Sequence, residues 1–252
     1  TLGWVATSYM LASAVALLPA GRLGDIHGRK RMFAAGTAVF SLASLLIALA
    51  PSGSFLIAAR VLQGAGAAMG FATSLAILTS AYPANEKGRV LGINVAAVYI
   101  GQAVGPTVGG LLTQNFGWRS IFAVVVPFTL LNFVLTVTRL KEEWAEARGE
   151  AFDVTGVVLY GAALILLILG LSSLPGASGL ALIALGVAGF VLFLRWEDRT
   201  PSPALNLSMF RESTVFTYSC AAALINYLAN AATAFLLSLY LQQIRGLTPQ
   251  AA

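Results

Sequence analysis

Charge is what this sequence has least of. Only 10% of its 252 residues are Asp, Glu, Lys or Arg, where soluble domains carry roughly 25%. With 58% hydrophobic residues and a mean hydropathy of +0.83, the water-soluble class is excluded. Cysteine is nearly missing. Cys220 stands alone, so no internal disulfide can form, and it reads as a small packed residue. There is one histidine, His27, in a charged connector where a solvated side chain is expected. No metal-spaced His/Cys cluster, nucleophile–base set or phosphate-binding loop is present, so an enzyme is the least expected class and no metal site is expected. The net charge of +5 could suggest a nucleic-acid partner. The cations, however, are confined to connectors between apolar runs, where they act as orientation signals. No initiator Met and no signal peptide open the chain, so it is expected to be a fragment.

What is abundant is long apolar runs. A membrane span needs about 20 apolar residues. Eight are expected, at 1–20, 32–50, 55–81, 90–114, 120–140, 154–174, 179–194 and 214–243. The fold class is therefore all-α, a polytopic membrane helix bundle whose short connectors make consecutive helices antiparallel neighbours. Lys and Arg alternate through the connectors. The first holds Arg22, Arg29, Lys30 and Arg31, and 51–54 holds none. Lys87 and Arg89 follow, then Arg119 alone, then Arg139, Lys141 and Arg148. None lies in 175–178, three (Arg195, Arg199, Arg211) lie in 195–213, and Arg245 follows the last span. This is the positive-inside pattern. It places residues 21–31 in the cytoplasm and both ends of the chain outside. The connector 139–153 is expected to carry a short surface helix around 142–148. The hairpin 154–194 has almost no polar side chains, so it should face lipid or pack peripherally.

Three stretches carry mechanics. Residues 21–31 read Gly-Arg-Leu-Gly-Asp-Ile-His-Gly-Arg-Lys-Arg, a connector too charged for hydrocarbon that pins a tight hairpin. Within it Asp25 could carry a proton, but a structural role is expected, capping the next helix or pairing with Arg29 across the hairpin, and Glu86 of a later connector could join that network. Arg60 is the single charged residue inside an expected span, in Arg-Val-Leu-Gln-Gly-Ala-Gly-Ala-Ala. A guanidinium there costs about 2.5–3.5 kcal/mol on insertion scales, so it should line a polar path or pair with an acid; snorkelling is the alternative. Gly101, Gly105 and Gly109 recur every four residues and form one smooth helix stripe, extended by Gly110, while Pro106 favours a bend. Trp118 suits an interfacial aromatic belt. Asn94, Tyr99, Gln102, Asn132, Asn226, Tyr227, Asn230, Thr233, Gln242 and Gln243 are polar groups within spans. They either line a solute path or bond helix to helix.

These motifs, in this order, resemble the major facilitator superfamily of secondary transporters. Gly21, Leu23, Gly24, Asp25, Gly28, Arg29 and Lys30 match the family's signature loop; Ile26 departs from it, standing where a cation is usual. Arg60, Gln63 and Gly64 match the Arg-x-x-Gln-Gly of the family's fourth helix, tied there to proton coupling and substrate handling. Gly-x-x-x-Gly-Pro-x-x-Gly-Gly at 101–110 resembles the fifth-helix motif of the drug:proton antiporters, and the extra hairpin points to the fourteen-spanner branch. The resemblance implies a partial major facilitator fold. Residues 1–140 would be the N-terminal six-helix bundle lacking its first helix. Residues 141–153 and 196–213 would be cytoplasmic connectors flanking the extra hairpin 154–195, and 214–252 would open the C-terminal bundle. It further implies a multi-pass protein of a bacterial inner membrane that effluxes small lipophilic molecules by alternating access. An ion gradient, of protons, would drive it with no cofactor. Its partners would be a small-molecule substrate and the lipid bilayer, with no nucleic acid. Arg60, Gln63, Asn94, Gln102, Asn226 and Asn230 would serve coupling or the substrate path. Gly21, Asp25, Gly28, Arg29 and Lys30 would bias the conformational equilibrium, and Gly101, Gly105, Pro106, Gly109 and Gly110 would form a helix joint between bundles. A solute:proton symporter of the same superfamily and a non-transporting sensor or scaffold are the rival readings.

Overall fold

A computed structural model of the chain describes residues 2–246. It is all-helical in its regular structure. The helices are α1 (Leu2–His27), α2 (Arg29–Ala48), α3 (Gly53–Ala81), α4 (Ala84–Phe116), α5 (Arg119–Arg139), α6 (Val154–Ser172), α7 (Ala177–Glu197), α8 (Ser208–Glu212) and α9 (Thr214–Leu239). A π-helical turn, Tyr240–Ile244, follows α9. Among the described residues seven helices, α1 to α7, are long and apolar enough to cross a membrane. The expected eighth span falls on the 26-residue helix α9, which is not among those seven. Thr1, the tail 247–252 and the side chain of Gln242 lie outside the described residues.

Helix–helix attraction in a bilayer cannot rest on the hydrophobic effect, so it depends on close backbone approach through small residues. The bundle core is built that way. On α3, Gly64 faces α1, where the Ser13 hydroxyl donates to its carbonyl at 3.1 Å. Gly66 faces α2, and a side-chain carbon there would fall 2.9 Å from the carbonyl oxygen of Gly36. One helix thus presents two glycine faces and serves as the central packing element for α1 and α2. On α5, Phe128 and Leu131 are exposed and suit lipid.

The α6–α7 hairpin packs by the same device. Gly170 meets Gly179, Gly186 meets Leu167, and Gly189 meets Ala163. The hairpin docks on α1 through Gly161 against Val15, and the Tyr160 hydroxyl donates to the carbonyl of Ala14 at 3.1 Å.

Two local expectations are corrected. Residues 140–153 form no helix, only an extended strap with a turn at 146–149. A lone helix that short is marginal in water, and the strap's backbone is bonded to α1 and α2 instead. The Ala147 amide donates to the Asp25 carbonyl (3.0 Å), and the Arg29 amide donates to the Trp144 carbonyl (2.8 Å). Second, 21–31 is scarcely a loop. α1 continues to His27 and α2 starts at Arg29, leaving Gly28 alone as the joint with φ 117°. A polar helical turn can project beyond hydrocarbon because its backbone bonds are satisfied internally.

Candidate functional site

The signature stretch builds a charged clasp at one end of the bundle. Gly28 permits the abrupt change of direction, since its φ lies where L side chains are strained. That turn brings Arg29 back over α1. Its Nε donates to Asp25 Oδ1 at 2.9 Å, so Asp25 pairs with Arg29 and does not cap α2, whose N-cap Gly28 has no side-chain bond. Arg29 Nη1 reaches the Ser80 hydroxyl on α3 (2.9 Å) and Glu146 of the strap (2.8 Å). Glu143 accepts from the Lys30 amide at 2.9 Å, and Arg22 pairs with Glu150 at 2.6 Å. Gly21 lies against Ala72 of α3, and Ile26 is buried, which explains an apolar residue at that position. His27 is exposed.

The strap acids are the residues that sequence reasoning missed. Glu143, Glu146 and Glu150 recur every three or four residues opposite a connector rich in Arg, a complementarity visible in the sequence. Glu86, expected in this network, lies in the first turn of α4 and makes no ion pair among the described residues. Glu146 takes that place because the strap runs directly beneath Arg29.

The second cluster surrounds Arg60 on α3. Its Nε donates to the Val5 carbonyl of α1 at 2.9 Å, and its Nη1 donates to Gln63 Oε1. Gln63, 3% exposed, passes the network on: its amide donates to Ser44 on α2 (2.8 Å), whose hydroxyl donates to the Phe40 carbonyl (2.7 Å). The guanidinium lies over the Tyr9 ring, 4.2 Å from its centroid, and 5.8 Å from that of Phe122. Desolvated cation–π contacts of this kind contribute up to about 2 kcal/mol. Arg60 is thus held by groups on α1, α3 and α5, two aromatic rings among them, which argues against snorkelling. Tyr9 also walls a groove of about 440 Å³ with Phe33, Phe40, Phe71, Thr129 and Asn132. That groove is mostly apolar and aromatic, with a few polar groups.

The remaining expected site residues are not brought to this cluster. Asn94 is half-buried and Gln102 exposed on α4, a helix with no buried residue. α4 runs unbroken through Pro106, and nothing in the described chain lies within 4 Å of a side chain added at Gly101, Gly105, Gly109 or Gly110. Asn226 and Asn230 bond to each other, Nδ2 to Oδ1 at 2.8 Å, on the exposed surface of α9. α9 contacts only α8 and the π-helical turn among the described elements.

A bundle of long apolar helices with a buried arginine network and a charged one-residue joint defines a multi-pass membrane protein. The model of the Major Facilitator Superfamily matches residues 1–252, and the chain belongs to that family. Among curated relatives, it is 32% identical over 252 residues to the riboflavin transporter RibZ of Clostridioides difficile (strain 630), covering 99% of this chain and 54% of that protein. It is 36% identical over 254 residues to the multidrug resistance protein Stp of Mycobacterium tuberculosis (strain CDC 1551 / Oshkosh), covering 98% and 47%. It is 33% identical over 256 residues to the tetracenomycin C resistance and export protein of Streptomyces glaucescens, covering 98% and 46%. The chain therefore spans about half the length of the curated relatives it matches.

Proposed function

We propose that the whole protein is a secondary transporter that exports small lipophilic molecules by alternating access, driven by protons. The observation that carries this reading is Arg60, a cation held inside an apolar span at the edge of an aromatic groove. Ionisable residues at such positions mark substrate or ion paths. Groups lining that groove, Tyr9 and Asn132 among them, offer lipophilic contact with a few polar anchors. The names of the relatives from Mycobacterium and Streptomyces, multidrug resistance and antibiotic export, agree with export of such molecules. Their greater length leaves room for the proton-accepting acid and the second bundle outside these 252 residues. In that assembly the glycine stripe of α4, with Pro106, would meet the second bundle as a helix joint, and the clasp around Arg29 would bias the inward/outward equilibrium. The alternating Lys/Arg counts support a cytoplasmic clasp in a bacterial inner membrane.

The test is transport by the full-length protein in proteoliposomes with an imposed pH gradient. Dye efflux that collapses with the gradient, and is lost in Arg60→Ala at normal expression, is the expected result. Unchanged coupled efflux from that variant removes Arg60 from the mechanism. The name of the riboflavin transporter relative favours a second reading, a selective transporter of one defined solute. Gradient-dependent movement of one solute, with dyes ignored, would support it. No movement of either kind would leave the scaffold reading.

A further inference from the structure

The α6–α7 hairpin closes, at the end bearing the clasp, on two carboxyl groups. Asp153 precedes α6 and Glu197 ends α7, three residues beyond the apolar run that stops at Leu194. The buried stripe of α7 runs Gly179, Gly186, Phe193, Glu197, the spacing of one helix face. Glu197 therefore points at α6, and it is 3% exposed. Across from it is Gly156, where a side-chain carbon would collide with both Asp153 Oδ2 and Glu197 Oε1. The two oxygens converge on one glycine face.

Their hydrogen bonds differ. Asp153 accepts from the Gly156 amide at 2.9 Å and from the Trp196 indole, whose Nε1 lies 2.9 Å from Oδ2 and 3.2 Å from Oδ1. Glu197 Oε2 accepts from the Leu205 amide at 3.0 Å, but its Oε1 is buried with no partner. A buried carboxylate oxygen without a donor is costly, and two carboxylates sharing one site do not both ionise readily. A single proton on Glu197 would relieve both costs, giving Oε1 a hydrogen to donate toward Asp153.

We propose that Glu197 and Asp153 form a proton-binding site at the mouth of the hairpin, Glu197 carrying the proton and Asp153 accepting its hydrogen bond. Arg22 of α1 is the nearby cation; its Nη2 is spent on Glu150, and its buried Nε reaches no acceptor. Asp198 pairs with Arg211 at 3.0 Å, and Arg195 is exposed. The segment after α7 contributes only backbone donors, chiefly the Leu205 amide. Burial and the facing Asp153 both disfavour a charged Glu197, while the Leu205 amide favours it. The closed mouth is therefore most stable with the proton in place and loosens as rising pH removes it. Loss of the proton to water leaves two facing carboxylates and loosens the contact with Leu205 and with the end of the strap.

The test is infrared difference spectroscopy of the full-length protein in bilayers, titrated with pH. A buried carboxylic C=O band should disappear in one step above the ordinary glutamate range. Glu197→Gln, which keeps the Leu205 bond and can still donate to Asp153, should lose both band and step while remaining folded. Asp153→Asn should shift the step to lower pH, and Glu86→Gln should leave it unchanged. A band that persists in Glu197→Gln, no band in the parent, or an unmoved step in Asp153→Asn overturns the site. Because no transport is read, the result stands apart from the transport reading.

Discussion

Arg29 and Glu146 lie 117 residues apart in sequence, and their side chains meet at 2.8 Å. The contact fastens the strap after α5 beneath the joint between the first two helices. Arg29 is nearly buried and Glu146 is 69% exposed, so the partnership is lopsided. Removing the acid exposes little, whereas removing the cation also strips Asp25 and Ser80 of a donor.

A double-mutant cycle of Glu146→Gln and Arg29→Gln should therefore return a coupling of about 0.2–1 kcal/mol, the range for a solvent-screened pair. Arg29→Gln alone should cost more than Glu146→Gln alone. Thermal unfolding in bilayers measures both. Equal single-variant losses would mean that Arg29 has no role beyond the strap.

Gly28→Ala should destabilise by about 1–3 kcal/mol, because the joint's φ of 117° is strained for any L side chain. The added methyl also collides with the Glu143 side chain. Proteolysis within the strap should rise in parallel, since Glu143 bonds the Lys30 amide there. An alanine variant with parent stability and parent proteolysis would contradict this geometry.

Gly64→Ala and Gly105→Ala make a matched pair. At Gly64 the new methyl meets the Ala12 side chain at 3.0 Å and the Ser13 amide at 3.1 Å, so α1 must retreat. At Gly105 it meets nothing within 4 Å. In this chain the first should lower the melting temperature clearly. The second should leave it unchanged or slightly higher, as alanine favours helix over glycine by about 0.8–1.0 kcal/mol. If the stripe of α4 joins a second bundle, Gly105→Ala should impair only the full-length transporter.

Gln63→Leu should cost about 1–3 kcal/mol, since it leaves the Arg60 guanidinium and the Ser44 hydroxyl short of a buried partner. Gln63→Glu retains an acceptor for Arg60 but no donor for Ser44, and should recover part of the loss. Tightness of the α2–α3 contact, followed by cross-linking across it, reads the effect independently of transport.

Local chemistry made much of this protein legible. Apolar runs near 20 residues and polar connectors marked the spans, because a bilayer forbids an unsatisfied backbone and places charge at its surfaces. The pairing of Asp25 with Arg29 across the hairpin was one of the readings that the charged connector allowed. Arg60 and Gln63 declared themselves by polarity in an apolar helix. What the sequence left open was every contact made between distant segments. The strap reads as a short amphipathic helix in isolation. It becomes an extended clamp because α1 and α2 offer its backbone better partners. The Ser44 relay, the Tyr9 ring under Arg60 and the meeting of Asp153 with Glu197 depend on which helix faces which. Glycine positions decide that facing at distances below 4 Å, and one-dimensional periodicity cannot resolve it. The same reason leaves the glycine face of α4 and the exposed face of α9 without partners among the described residues. Their surfaces follow from sequence, whereas what packs on a surface is decided only by tertiary structure.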